Sequence, residues 1–115
     1  MITPDVMLQP HNASLQITFY ESQRFPEEYR GDLFAAEHGS WNKATRTGYE
    51  VIRIPRHRTG EASGEYQDFL TGFVLPDGKV WGRPVGVATA ADGSLLVTDD
   101  GSNSIWRVNY AGPAR

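Results

Sequence analysis

Arg83 and His38 are the two side chains of this sequence best suited to chemistry. A guanidinium presents a planar fork that binds a carboxylate through two charge-assisted hydrogen bonds, which makes Arg83 a candidate anion anchor. The plainer role for Arg83 is a structural pairing with Asp99 or Asp100 across the turn that follows. His38 stands beside Glu37, with Trp41 close behind. A neighbouring carboxylate would fix the tautomer of the imidazole, as a base or an orienting group requires; otherwise the ring simply bonds the turn backbone. Trp41 is an aromatic plate that either stacks on a planar ligand or packs against a neighbouring strand. Asp99-Asp100-Gly101-Ser102-Asn103 is rich in oxygen atoms, and Asp99 and Asp100 are its candidate metal ligands. It lacks the spacing and distal Glu of an EF-hand, and the same residue types build a tight turn, which is the preferred reading. Only His38 is a candidate for direct catalysis, and His57, in a basic turn, is given no role.

The elements that would position these residues come from a repeat. Gly31 to Ser40 (GDLFAAEHGS) is echoed 62 positions later by Gly93 to Ser102 (GSLLVTDDGS). Each copy is preceded by an apolar run, Leu15 to Tyr20 and Pro84 to Ala90. Each is followed by another with an Arg inside it, Val51 to Ile54 and Ile105 to Val108. Repeated strand–turn–strand units are the pattern of a β-propeller or a related array. Strands are expected at 15–20, 33–36, 49–54, 65–70, 85–89, 95–98 and 104–110, with a polar connection over 22–31 and a tight turn at Asp92-Gly93. Short strands punctuated by Gly and Pro, with no sustained helical period, predict an all-β fold. The organisation expected is an irregular lead-in (1–13), two consecutive propeller blades (about 14–78 and 79–110) and a tail (111–115). The blades are four-stranded, the second lacking its outer strand. With strands alternating in direction, His11-Asn12, Glu37 to Asn42, Arg83 and Asp99 to Asn103 fall on one face.

Bulk properties narrow the function. The 115 residues include 22% charged and 39% hydrophobic residues, 12 Gly and 7 Pro, which suits a turn-rich globular chain. Net charge is −3 with no basic block, which argues against nucleic acid as a partner; Arg53 to Arg58 reads as solvated turn charge. The absence of Cys removes disulfides, thiolate nucleophiles and Cys–zinc sites. Met1 to Val6 does not read as a signal peptide, and no run reaches membrane-spanning length. Two blades alone would leave apolar faces open and invite self-association, so a piece of a larger protein is expected.

Tyr29 to Asn42 (YRGDLFAAEHGSWN), Val80 to Val87 (VWGRPVGV) and Asp92 to Asn103 (DGSLLVTDDGSN) resemble the C-terminal part of the glucose/sorbosone dehydrogenase family, closest to its L-sorbosone dehydrogenase-like branch. The resemblance runs from about His11 to Tyr110. It implies a six-bladed propeller quinoprotein that oxidises sugars or related aldehydes and alcohols with pyrroloquinoline quinone and calcium, exported to the periplasm or beyond. Arg83 matches the first residue of the family's Arg-x-Arg quinone clamp, while the second falls at Val85. The clamp's Lys falls near Leu15, with His11 close by. The candidate quinone contacts are Arg83, by its match to the clamp, His11, near the Lys position, and His38 and Trp41, from the repeated turn on the same face. The resemblance implies a sugar-like small molecule as substrate. The family's general-base His and calcium loop belong to earlier blades, so the chain is expected to be inactive alone. Two other functions fit the sequence: a gluconolactonase-like, metal-dependent hydrolase propeller, which needs carboxylates converging on one axis, and a non-catalytic lobe used for binding or assembly.

Overall fold

The computed structural model describes residues 4–9, 12–40, 47–56, 61 and 64–111. Among these, seven strands form two antiparallel sheets. β1 (Ser14–Phe19), β2 (Leu33–Glu37), β3 (Glu50–Ile54) and β4 (Gln67–Leu70) make the first, in chain order. β5 (Pro84–Thr89), β6 (Leu95–Asp99) and β7 (Ser104–Val108) make the second. A 3-10 turn, Glu27–Tyr29, lies in the connection between β1 and β2. The all-β expectation therefore holds, and the second sheet has three strands.

The strand ends differ from expectation for a plain reason of pairing. Glu65 and Tyr66 lie ahead of β4 because its register with β3 stops at Gln67 opposite Arg53. Asn109 and Tyr110 lie beyond β7 because β6 begins at Leu95, opposite Val108. Both sheets carry a register irregularity at the same place, between Ser14 and Gln16 and between Pro84 and Gly86. The sequence repeat thus extends to a backbone defect just inside the first strand, where a bulge re-aims the chain.

Alternation sends Phe34, Ala36 and Val51 of the first sheet toward Val87, Leu95 and Val97 of the second. Tyr20 and Phe25 fill the seam, their rings stacked at 4.5 Å, with Phe34 edge-on to Tyr20 at 6.0 Å. Two polar pins cross the same seam. The Tyr20 hydroxyl donates to the Gly93 carbonyl and accepts the Phe25 N–H at 3.1 Å. The Gln16 amide oxygen accepts the Val87 N–H at 2.7 Å. Gly86 makes that reach feasible, since a Cβ there would stand 2.6 Å from Gln16 Oε1.

Arg53 corrects the reading of solvated turn charge. It lies on β3 with its Nε 2.7 Å from Asp32 Oδ2, its side chain only 11% exposed and stacked over the Tyr29 ring at 4.2 Å. Asp32 is buried just ahead of β2, and a buried carboxylate needs compensation by a paired charge or by hydrogen bonds; here Arg53 supplies both. The Arg56 N–H adds a second bond to it at 3.0 Å. His57 and Arg58 lie outside the described residues.

Removing the Tyr20 hydroxyl strands a buried carbonyl and a buried N–H at the seam. Tyr20→Phe is expected to cost about 1–3 kcal/mol, read as a lower urea midpoint; an unchanged midpoint would show that the pin is dispensable. The outer face of β1 tests the open-face expectation. Ile17 is 57% exposed, whereas Val87, which faces the repeat-equivalent partner in the second sheet, is 3% exposed. The chain is expected to grow in size with concentration in sedimentation velocity, and Ile17→Asp to suppress that growth. A wild-type chain that stays monomeric throughout would contradict this.

Candidate functional site

The turn after β2, the turn after β6 and the segment entering β5 meet at one end of the two sheets. Local hydrogen bonds place each piece, and they repeat between sheets. The His38 N–H donates to Ala13 O at 2.9 Å, and the Asp100 N–H donates to Arg83 O at 3.2 Å. Gly39 N–H adds a bond to Asn12 O at 2.8 Å.

Asp99 builds the second turn. One of its carboxylate oxygens accepts the N–H groups of Arg83 (2.7 Å), Gly101 (2.9 Å) and Ser102 (3.1 Å). The other accepts the Ser102 hydroxyl (2.6 Å) and the Trp106 indole (3.0 Å). Burial pushes the Asp99 pKa up, but the bonds from the Ser102 hydroxyl, Arg83 N–H, Trp106 indole and Ser102 N–H outweigh it and hold it at about 2. The turn reading of this segment is thus what the geometry displays, and the Asp99 oxygens are occupied. Gly101 lets the turn close on Arg83, because a Cβ there would lie 3.0 Å from Arg83 N and 3.1 Å from its Cγ.

The side chains of Arg83, His38 and Asp100 then join across the two sheets. His38 Nε2 lies 3.0 and 3.1 Å from the two oxygens of Asp100, and His38 Nδ1 lies 3.2 Å from Arg83 Nη2. Two expectations are corrected by this. Arg83 pairs through its side chain with His38, not with Asp99 or Asp100, because Asp99 is saturated and the imidazole stands between Arg83 and Asp100. Glu37 is not the carboxylate beside His38. As the last residue of β2 it points to the other side, where the Ser14 hydroxyl lies 2.8 and 2.7 Å from its oxygens. Arg83 Nε is buried and has no partner among the described residues.

The expected common face therefore assembles from Asn12, His38, Arg83 and Asp99 to Asn103. His11, Trp41 and Asn42 lie outside the described residues. Trp81 and Trp106 pack edge-to-face at 5.9 Å, as packing residues do. Among the described residues no three acidic or histidine side chains converge as metal ligands. The role of Asp100 as partner of His38 was the feature missed; its signal was the repeat, since the two are equivalent positions 62 residues apart.

Residues 1–111 match the family model described as TrAA12-like. The chain is 44% identical over 103 residues to an uncharacterized protein of Borreliella burgdorferi, covering 90% of this chain and 27% of that one. It is 30% identical over 132 residues to the pyrroloquinoline quinone-dependent pyranose dehydrogenase of Coprinopsis cinerea, covering 97% of this chain and 17% of the relative. The chain thus spans a minor part of the curated relatives it matches. Among solved structures, the holo PQQ domain of the Coprinopsis cinerea pyranose dehydrogenase superposes with a TM-score of 0.73 at 28% identity, covering 95% of this chain and 29% of that one. A calcium structure of a Trichoderma reesei family AA12 enzyme superposes with a TM-score of 0.71 at 21% identity, covering 90% and 26%, which speaks to the fold.

A pair of carboxylates sits behind the turn. Glu37 and Glu50 are directly opposed across β2 and β3. Burial pushes the Glu37 pKa up, against the Ser14 hydroxyl bond that lowers it. Glu50 is pushed up to about 8, by burial first, then by a hydrogen bond and charge from Asp68, and by the charge of Glu37. Between its ordinary value of 4.5 and about 8, the folded chain holds a proton that the unfolded chain releases. This contribution to stability is complete below that window and is lost as pH rises through it. Glu50→Gln is expected to flatten the fall in stability between those limits and to gain about 1 kcal/mol at the upper one, discounted for solvent access. Denaturation midpoints at several pH values check this, and a parallel loss in the variant counts against it.

Proposed function

The chain belongs to the TrAA12-like family, and from that premise we propose that it forms part of a quinone-dependent sugar oxidoreductase. In this reading Arg83 and His38 help to hold pyrroloquinoline quinone at the junction of the two sheets. The observation that carries it is the Arg83 guanidinium, whose Nη2 is held by His38 while its buried Nε has no partner among the described residues. A donor-only fork with unspent N–H groups fits a polycarboxylate, and pyrroloquinoline quinone is a tricarboxylate. When bound, the quinone supplies the two-electron acceptor for oxidation of a sugar alcohol or aldehyde carbon.

The residues of this chain bind and orient. Arg83 anchors ligand charge, His38 holds the guanidinium in place, and the Asp99 turn fixes the Arg83 backbone through its N–H. His11 and Trp41 remain candidate contacts from the neighbouring segments. The substrate class is a sugar or sugar-derived aldehyde or alcohol, with sorbosone-like and pyranose substrates both within it. Among the described residues no ligand set for calcium converges. The same fact leaves the hydrolase alternative without a site in them. A propeller closed by further blades, placed outside the cytoplasm, completes the reading. The chain alone is then expected to bind without turnover.

An absorbance titration of the folded chain with pyrroloquinoline quinone tests the assignment. Saturable binding is expected, and Arg83→Ala should weaken it by about tenfold or more, as loss of a charge-assisted pair does. Equal affinity in the variant would remove Arg83 from the site.

A further inference from the structure

Resting on that reading, we infer that Asp100 is a positioning residue: it sets the proton of His38 so that the imidazole aims Arg83 at the ligand. The guanidinium has only donors, so its contact with His38 Nδ1 at 3.2 Å requires a bare lone pair on that nitrogen. The neutral ring then carries its proton on Nε2. That proton points at the Asp100 carboxylate, an acceptor within 3.0–3.1 Å. Both contacts demand the same tautomer, and the donors run one way, from Arg83 to His38 to Asp100. With Nη2 committed to His38, the buried Nε is left without a partner among the described residues.

Asp100 is free for this task because Asp99 does the structural work of the turn. The Asp100 side chain is 58% exposed, and His38 is the partner its carboxylate meets among the described residues. Its backbone N–H meanwhile ties it to the Arg83 carbonyl at 3.2 Å. The residue thus touches Arg83 through the main chain and His38 through the side chain, closing a triangle. His38 comes from the first sheet and the other two from the second, so the relay also registers the sheets against each other at the site.

The test uses the 115-residue chain and has two readouts. In long-range proton–nitrogen NMR above neutral pH, His38 is expected to be protonated on Nε2 and bare on Nδ1. A proton on Nδ1 overturns the proposal whatever the ligand does. In titrations with pyrroloquinoline quinone, Asp100→Ala should weaken binding about three- to tenfold, and have no further effect once His38 is Phe. An equal loss in both backgrounds would mean that Asp100 acts by another route, and would overturn the relay. If the wild-type chain takes up no quinone, the preceding reading fails on its own account. The relay is then decided by the Arg83 side-chain resonances, which should move in Asp100→Ala and stay still in the His38→Phe background. Resonances indifferent to Asp100 overturn it.

Discussion

The docking of one sheet on the other is the constraint from which everything else follows. Each sheet is a meander of short strands with an apolar face, and neither face can be left in water. Phe34, Ala36 and Val51 meet Val87, Leu95 and Val97, with Tyr20 and Phe25 filling the space between. Apolar packing alone tolerates sliding, and the two polar pins remove that freedom. Tyr20 to Gly93 and Gln16 to Val87 each lose a buried partner if the sheets shift. The site inherits its geometry from this seam, because His38 and Arg83 stand on opposite sides of it.

Charge is handled differently at the two ends of the strands. At one end Asp32 is neutralised by Arg53, and the pair is roofed by Tyr29. At the other, Asp99 is stabilised by five donors, three of them backbone N–H groups, with no cation beside it among the described residues. Its low pKa follows from that donor count. A carboxylate so saturated is a scaffold. The neighbouring Asp100 turns its oxygens to His38, so adjacent identical residues take different partners. Glu37 and Glu50 show the opposite case, two carboxylates forced together with few donors and raised pKa values as the result.

Much of the fold was legible because strand alternation and the Gly-bounded repeat are local signals. The seven strands lie close to where the sequence predicts. Some stop early where a partner strand runs out, as at Tyr66 and Asn109, and others run one residue longer where pairing continues, as at Ser14 with Glu37 and Pro84 with Asp99. Arg53 was misread because its neighbours in sequence are basic and turn-like, while its partner Asp32 is 21 residues away. Arg83 and His38 were legible as chemical types. Their contact was not, since no local pattern reveals which side chain lies across a sheet seam.

The sequence by itself determined the residue types, the repeat and the alternation, and with them an all-β chain whose Arg83 and His38 turns share one end. Those properties depend on nearest neighbours along the chain, where sterics and period-two patterning act directly. Tertiary structure alone decided which carboxylate serves His38. Glu37 is adjacent in sequence yet turns away with the pleat, whereas Asp100 arrives from the second sheet because the packed seam brings repeat-equivalent positions face to face. Hydrogen bonding acts through space over about 3 Å, so partnership is settled by how the sheets dock.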